Sequence, residues 1–108
     1  MAKSLYIYKI QAVRPEMASK ERTAEEDHVV GEHFSYLERL TTQGVVHLSG
    51  RTMTDDYAGF GIIIFSAESQ QAAEKIVRND PAVAQRVMRA ERYPFRASLV
   101  GQPIPPAE

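Results

Sequence analysis

The chain has 108 residues, 44% hydrophobic and 25% charged, with 13 basic and 14 acidic side chains, a formal net charge of -1 and no cysteine. That size and apolar content suit one globular domain with a single core. The missing cysteines exclude disulfides, thiolate chemistry, iron–sulfur clusters and cysteine zinc sites, and the balanced charge without a basic patch argues against nucleic acid as a partner. The N-terminal residues Met1-Ala2-Lys3-Ser4 carry no signal-peptide core, and no apolar run approaches membrane-spanning length. The expected location is the cytoplasm, with no membrane partner.

Leu5–Ile10 is rich in β-branched and aromatic residues and reads as a first strand. Gln11–Arg22, which contains Pro15, reads as a long polar connection of the kind that is functional or mobile. Thr23-Ala24-Glu25-Glu26 matches a capping box, with Asp27 adding a further acid to the first turn. The helix it opens is expected from about residue 24 to Gln43, with Gly44 as its stop. Val45–Ser49 reads as the second strand, Gly50–Ala58 as a hairpin loop holding Asp55 and Asp56, and Gly59–Phe65 as the third strand. Ser66 or Ser69 caps a second helix that ends near Asn79, and Asp80-Pro81 starts a short helical turn. Met88–Val100 contains the fourth strand. The domain is assigned to residues 1–100, and 101–108 is a proline-rich, extended tail.

The element order β-α-β-β-α-β is that of the α+β, ferredoxin-like split unit. Two right-handed crossovers then predict an antiparallel four-stranded sheet in the order 4-1-3-2. Pro94 agrees, because the fourth strand lies at an edge where a missing donor is tolerated. Strands one and three are apolar on both faces: Leu5 and Ile7 oppose Tyr6, Tyr8 and Ile10, while Phe60, Ile62 and Ile64 oppose Ile63 and Phe65. Two helices cover only one face, so the other needs a cover, and the simplest is a second copy in a two-fold homodimer. Sequence does not say which face is which.

On the first helix, Val29, Val30, His33, Phe34, Tyr36, Leu37 and Leu40 share one side, and Gly31, Glu32, Ser35, Glu38 and Arg39 the other. His33 therefore places a group that titrates near neutral pH on the core side. It reads either as a general acid or base partnered by the Asp80 carboxylate, or as a core histidine satisfied by a backbone carbonyl. Asp80 likewise reads as that partner or as an ordinary cap before Pro81, and both roles can coexist. Arg51 is a candidate bidentate holder of a substrate carboxylate or a solvated hairpin charge; Ser49 is a ligand contact or a hairpin cap. Tyr36 is a pocket residue or an amphipathic core tyrosine. His28 and Glu32 point away from His33, and His47 lies on another element. No metal-ligand spacing results, and no phosphate loop or nucleophile elbow is present.

Glu32-His33-Phe34-Ser35-Tyr36-Leu37, Gly44-Val45-Val46-His47-Leu48-Ser49-Gly50, Gly59-Phe60-Gly61, Ser69 through Ala73, Asn79-Asp80-Pro81 and Pro94-Phe95 follow one another in an order that resembles the YCII-related (YciI-like) family of the dimeric α/β-barrel superfamily. The resemblance spans most of residues 5–96. It implies a ferredoxin-like subunit that pairs into a barrel, a small pocket with a histidine and an aspartate, here His33 and Asp80, and no organic cofactor. Enzymes similar to these include muconolactone-type isomerases and ring-fission dehalogenases. Arg51 stands where the family usually has proline, Ala82 where it often has an aromatic residue, and the Arg14–Arg22 connection is longer than in compact members. The substrate is therefore not carried over. The resulting expectation is a lyase, isomerase or dehalogenase acting on a small, carboxylated or ring-derived metabolite. A non-catalytic ligand-binding or partner-binding module is the alternative, and haem ligation by His33 a third.

Overall fold

The computed structural model describes residues 3–19, 22–54, 56 and 58–105. Its elements are β1 (Ser4–Ala12), a 3-10 turn (Pro15–Ser19), α1 (Ala24–Thr42), β2 (Val46–Arg51), β3 (Gly61–Ala67), α2 (Gln70–Arg78), α3 (Pro81–Ala84) and β4 (Met88–Phe95). The sheet order is β2-β3-β1-β4, with every neighbouring pair antiparallel. Read from its other edge, this is the expected 4-1-3-2 order, so the subunit fold is ferredoxin-like. Pro94 sits on the edge strand opposite Tyr6. Among the described residues no helix is long and apolar enough to cross a membrane.

The capping box at the start of α1 is complete. Thr23 Oγ1 accepts from the Glu26 amide at 3.0 Å, and Glu26 Oε1 accepts from the Thr23 amide at 2.8 Å. Arg14 forks onto the same carboxylate at 2.9 and 2.7 Å. The Arg14 hydrogen bond, with the Thr23 amide second, lowers the Glu26 carboxyl to about 2. This fork ties the connection between β1 and α1 to the helix. The expected loose loop is thus partly built: Met17 in the 3-10 turn is buried, and the Val13 amide donates to the Val87 carbonyl at 3.0 Å. At the other end Gln43 caps α1, and Gly44 reverses the chain with a φ of 79°.

Several strand ends differ from expectation for local reasons. β1 runs on through Gln11 and Ala12 because both pair with β4, opposite Arg89 and Met88. β2 starts and ends later than expected. His47 is the extra residue of a bulge between Val46, opposite Phe65, and Leu48, opposite Ile64, and pairing continues through Gly50 and Arg51. β3 starts at Gly61 because the Phe60 amide donates to the Thr52 hydroxyl at 3.0 Å rather than to a ladder carbonyl. Asp55, expected in this hairpin, lies outside the described residues. Ser69 caps α2, its hydroxyl accepting from the Ala72 amide at 3.0 Å; Ser66 is in β3, where it bonds His47.

Tyr6, Tyr8 and Ile10 of β1 and Ile63, Phe65 and Ala67 of β3 are buried beneath the helices. The helix α1 answers with Val29, His33 and Leu37, one residue per turn. Its apolar stripe is narrower than expected: Val30, Tyr36 and Leu40 are half-buried, and Phe34 is 66% exposed. One helix over a twisted sheet seals only the residues along its line of contact. On the uncovered face Leu5, Ile7, Ile62 and Ile64 are half-buried, with Leu48, Tyr93 and Phe95 exposed among them. Ile7 therefore faces outward, and Ile63 belongs to the core. Beyond β4, Leu99, Val100 and Ile104 are exposed.

Gly44→Ala forces a Cβ into the left-handed region. It should destabilise the protein by about 1–2 kcal/mol in urea unfolding while leaving the spectroscopic signature of the fold unchanged.

Candidate functional site

Three elements deliver the polar groups buried under α1. β1 contributes Tyr8, because alternate side chains of this strand face the helices. The helix α1 contributes His33, one turn from both Val29 and Leu37. The short helix α3 contributes Asp80, its N-cap, held in place by Pro81 at the first helical position.

Asp80 has no solvent exposure, and His33 has 8%. His33 Nδ1 lies 2.7 Å from Asp80 Oδ1 and 2.8 Å from Oδ2. The Tyr8 hydroxyl donates to Oδ2 at 2.8 Å, and the Ala82 amide donates to Oδ1 at 3.0 Å. The carboxylate accepts from both, so Nδ1 is the protonated ring nitrogen. Nε2 has no hydrogen-bond partner among the described residues. No buried side-chain nitrogen or oxygen there lacks a partner, so Nε2 is the ring atom that reaches the surface. Fixing one imidazole nitrogen on a carboxylate sets the tautomer and leaves the other free to exchange protons.

Burial, then the Asp80 charge, then the hydrogen bond to Asp80 hold the Tyr8 hydroxyl far above the ordinary tyrosine range. It stays a donor at every physiological pH. Tyr36 is pushed up to about 12, mainly by burial and next by Asp80, against a lowering by Arg39. Its hydroxyl donates to the Ile76 carbonyl at 2.6 Å, tying α1 to α2. Tyr36 also lines a shallow outer groove that holds His28, Glu32 and Arg39.

Ser49 lies opposite Ile63, and Ile63 opposite Tyr8, so the three form one cross-strand row on the helix side of the sheet. The next row runs Arg51, Gly61, Ile10. A Cβ at position 61 would approach Ile10 Cγ1 to 3.1 Å, so glycine there lets Ile10 fill the row. Two strand spacings, roughly 10 Å, separate Ser49 from Tyr8. Ser49 and Arg51 are exposed and line an open groove with Leu48, Thr52, Phe60 and Ile62. Neither groove is lined by His33 or Asp80. The structure thus brings His33 and Asp80 together, sets Ser49 and Arg51 apart from them on the same side of the sheet, and commits the Tyr36 hydroxyl elsewhere. Among the described residues no three histidine or carboxylate side chains converge as metal ligands.

Sequence reading missed Tyr8. The signal was a tyrosine at a fully core-facing strand position, whose hydroxyl must find a partner when buried.

Residues 3–95 match the sequence profile described as the YCII-related domain. Among solved structures the chain is similar to 5-chloro-2-hydroxyhydroquinone dehydrochlorinase from Burkholderia phenoliruptrix AC1100, solved in complex with 2,5-dihydroxybenzoquinone. The TM-score is 0.63 at 21% identity, covering 85% of this chain and 93% of that one. No curated protein matches the chain.

Two outcomes are expected. Asp80→Ala strands a buried hydroxyl, imidazole and amide at once, and should cost about 3–5 kcal/mol in denaturant unfolding. Alkaline pH should also unfold the protein. Tyr8 and Tyr36 are both raised above the ordinary value of 10.0, so their contribution is complete below that pH. It falls as pH rises beyond it, and for Tyr36 is spent by about 12. Melting temperature followed from pH 9 upward checks the sign; a flat profile through pH 11 would contradict it.

Proposed function

The chain belongs to the YCII-related family, and from that premise we propose that it is a small-molecule enzyme in which His33 moves a proton without an organic cofactor. One observation carries this reading: Nδ1 is bound to the fully buried Asp80 carboxylate, while Nε2 is left toward the surface. In that tautomer the lone pair sits on Nε2, which takes a proton from the substrate as general base. Asp80 stabilises the imidazolium, which then returns the proton to product or solvent as general acid. Lyase, isomerase and dehalogenating elimination all need this step. In an elimination the C–H electrons form the new π bond as chloride departs, for net loss of HCl. The similar structure is by its name a dehydrochlorinase, which supports hydroxylated ring compounds as the first substrates to test.

Arg51 is exposed and has no ion-pair partner among the described residues. It is the proposed holder of a substrate carboxylate, with Ser49 beside it as a hydrogen-bonding group, and the Tyr36 ring is the proposed wall of the separate outer groove. The half-buried Leu5, Ile7, Ile62 and Ile64 lie on the uncovered sheet face, and a second copy is the proposed cover. His33 lines neither of the two grooves that hold Arg51 and Tyr36. The same fact favours the alternative of a binding module.

Chloride release from chlorinated hydroquinones, and turnover of ring-derived carboxylates, separate the readings. His33→Gln should reduce any turnover found by about 10²–10⁴-fold with the melting temperature nearly intact, because an amide can hydrogen-bond but cannot titrate. Asp80→Asn should cost less activity. Unfolding on changing His33, with activity otherwise retained, would leave the binding module. Light scattering should give about twice 12.1 kDa. Ile7→Asp, which buries an unpaired charge against the partner sheet, should weaken association by at least about 100-fold.

A further inference from the structure

The Asp80 carboxylate accepts three different donors, and only one of them is His33. Oδ1 takes the Ala82 amide at 3.0 Å, and Oδ2 takes the Tyr8 hydroxyl at 2.8 Å. Nδ1 of His33 is nearly equidistant from both oxygens, at 2.7 and 2.8 Å. This near-symmetric sharing follows from one further donor on each oxygen: with both arms in place, neither oxygen is the better acceptor. We infer that Tyr8 is a positioning residue that acts on His33 through Asp80, its hydroxyl drawing off part of the carboxylate charge and so setting how tightly the imidazole is held.

Among the described residues the geometry leaves this task to Tyr8 alone. The Ala82 amide is backbone, fixed by the cap of α3. Tyr36, the other tyrosine whose hydroxyl feels the Asp80 charge, spends its one hydrogen on the Ile76 carbonyl. Arg39 stands beyond the Tyr36 ring, 5.7 Å from its centroid, and Glu32 is turned outward onto Gln85. Tyr8 is fully buried, its ring edge-on to Phe65 at 5.7 Å, so the hydroxyl cannot swing to water. Burial also keeps it protonated. Losing this donor concentrates the carboxylate charge on the histidine; strengthening it does the opposite.

The inference rests on His33 as the proton-transfer group, but its readout is spectroscopic and independent of turnover. In protein labelled with ¹⁵N-histidine, the Nδ1–H proton of His33 should appear as a downfield, slowly exchanging resonance that disappears in His33→Gln. Tyr8→Phe removes one oxygen and keeps the ring packing, and it should move that resonance further downfield as the remaining bond shortens. Replacing Tyr8 by 3-fluorotyrosine makes the hydroxyl a stronger donor at nearly constant size and should move it upfield. Opposite displacements support the inference. No displacement in either variant, or displacement of both in one direction, overturns it while leaving the His33–Asp80 pair intact. If Tyr8→Phe does not fold, the fluorotyrosine protein alone decides by the sign of its shift. If the wild-type resonance is absent and Asp80→Asn changes nothing about the His33 nitrogens, the proton-transfer reading itself fails, and the inference with it.

Discussion

A carboxylate with no access to water is the constraint around which this subunit is arranged. Removing an ionisable oxygen pair from solvent costs several kcal/mol unless donors replace the lost hydration. Asp80 recovers it from a strand hydroxyl, a helix imidazole and a backbone amide. Those donors come from β1, α1 and α3, so satisfying one residue locks a central strand, the long helix and the short helix into a single relative placement. Apolar packing alone would tolerate small slides of α1 along the sheet. Hydrogen bonds of 2.7–3.0 Å from three directions do not. The polar centre therefore supplies specificity, and the surrounding apolar side chains supply most of the driving force.

The two faces of the sheet divide the work. Beneath the helices, Tyr6, Tyr8, Ile63 and Phe65 form a closed layer in which the Tyr8 and Phe65 rings meet edge to face. The opposite face is graded. Its row through Ile7 joins Ile64 and Tyr93 and that through Leu5 joins Ser66 and Phe95, while the rows through Lys9 and Gln11 meet Glu91 and Arg89 on β4. Lys9 lies over the Phe60 ring at 4.8 Å, which covers part of that aromatic surface with a charge. A mostly apolar half and a charged half on one surface orient whatever packs there, because only one alignment avoids burying the charges.

Element order and the capping box were legible in sequence because each rests on a local signal, and strand order followed from the handedness of the two crossovers. Period-2 apolar runs marked the strands, a Thr-x-x-Glu step opened α1, and Gly44 closed it. The partnership of His33 with Asp80 could be suggested but not decided, since helical periodicity gives the direction of a side chain and not the element it meets. The width of the apolar stripe was overstated: Phe34 satisfies the periodicity yet stands 66% exposed, because burial depends on how far the sheet extends beneath the helix. The β2 ends shifted because a bulge at His47 has no sequence signature. Tyr8 was counted as one more apolar residue of a strand. Its hydroxyl matters only because α3, seventy-two positions later, ends up above it.

That distance along the chain has a kinetic meaning. The contacts that make the site span 47 and 72 residues, whereas the capping box, the helix turns and the α2–α3 corner are all local. Loop closure over such separations is slow compared with helix formation. Local structure can thus be present in a partly folded chain whose histidine still has no carboxylate. Completion of the polar centre coincides with docking of α1 and α3 onto β1, a non-local step of assembly. The state of this one imidazole accordingly reports on the whole subunit, and an early folding intermediate would carry the protein's secondary structure without its chemistry.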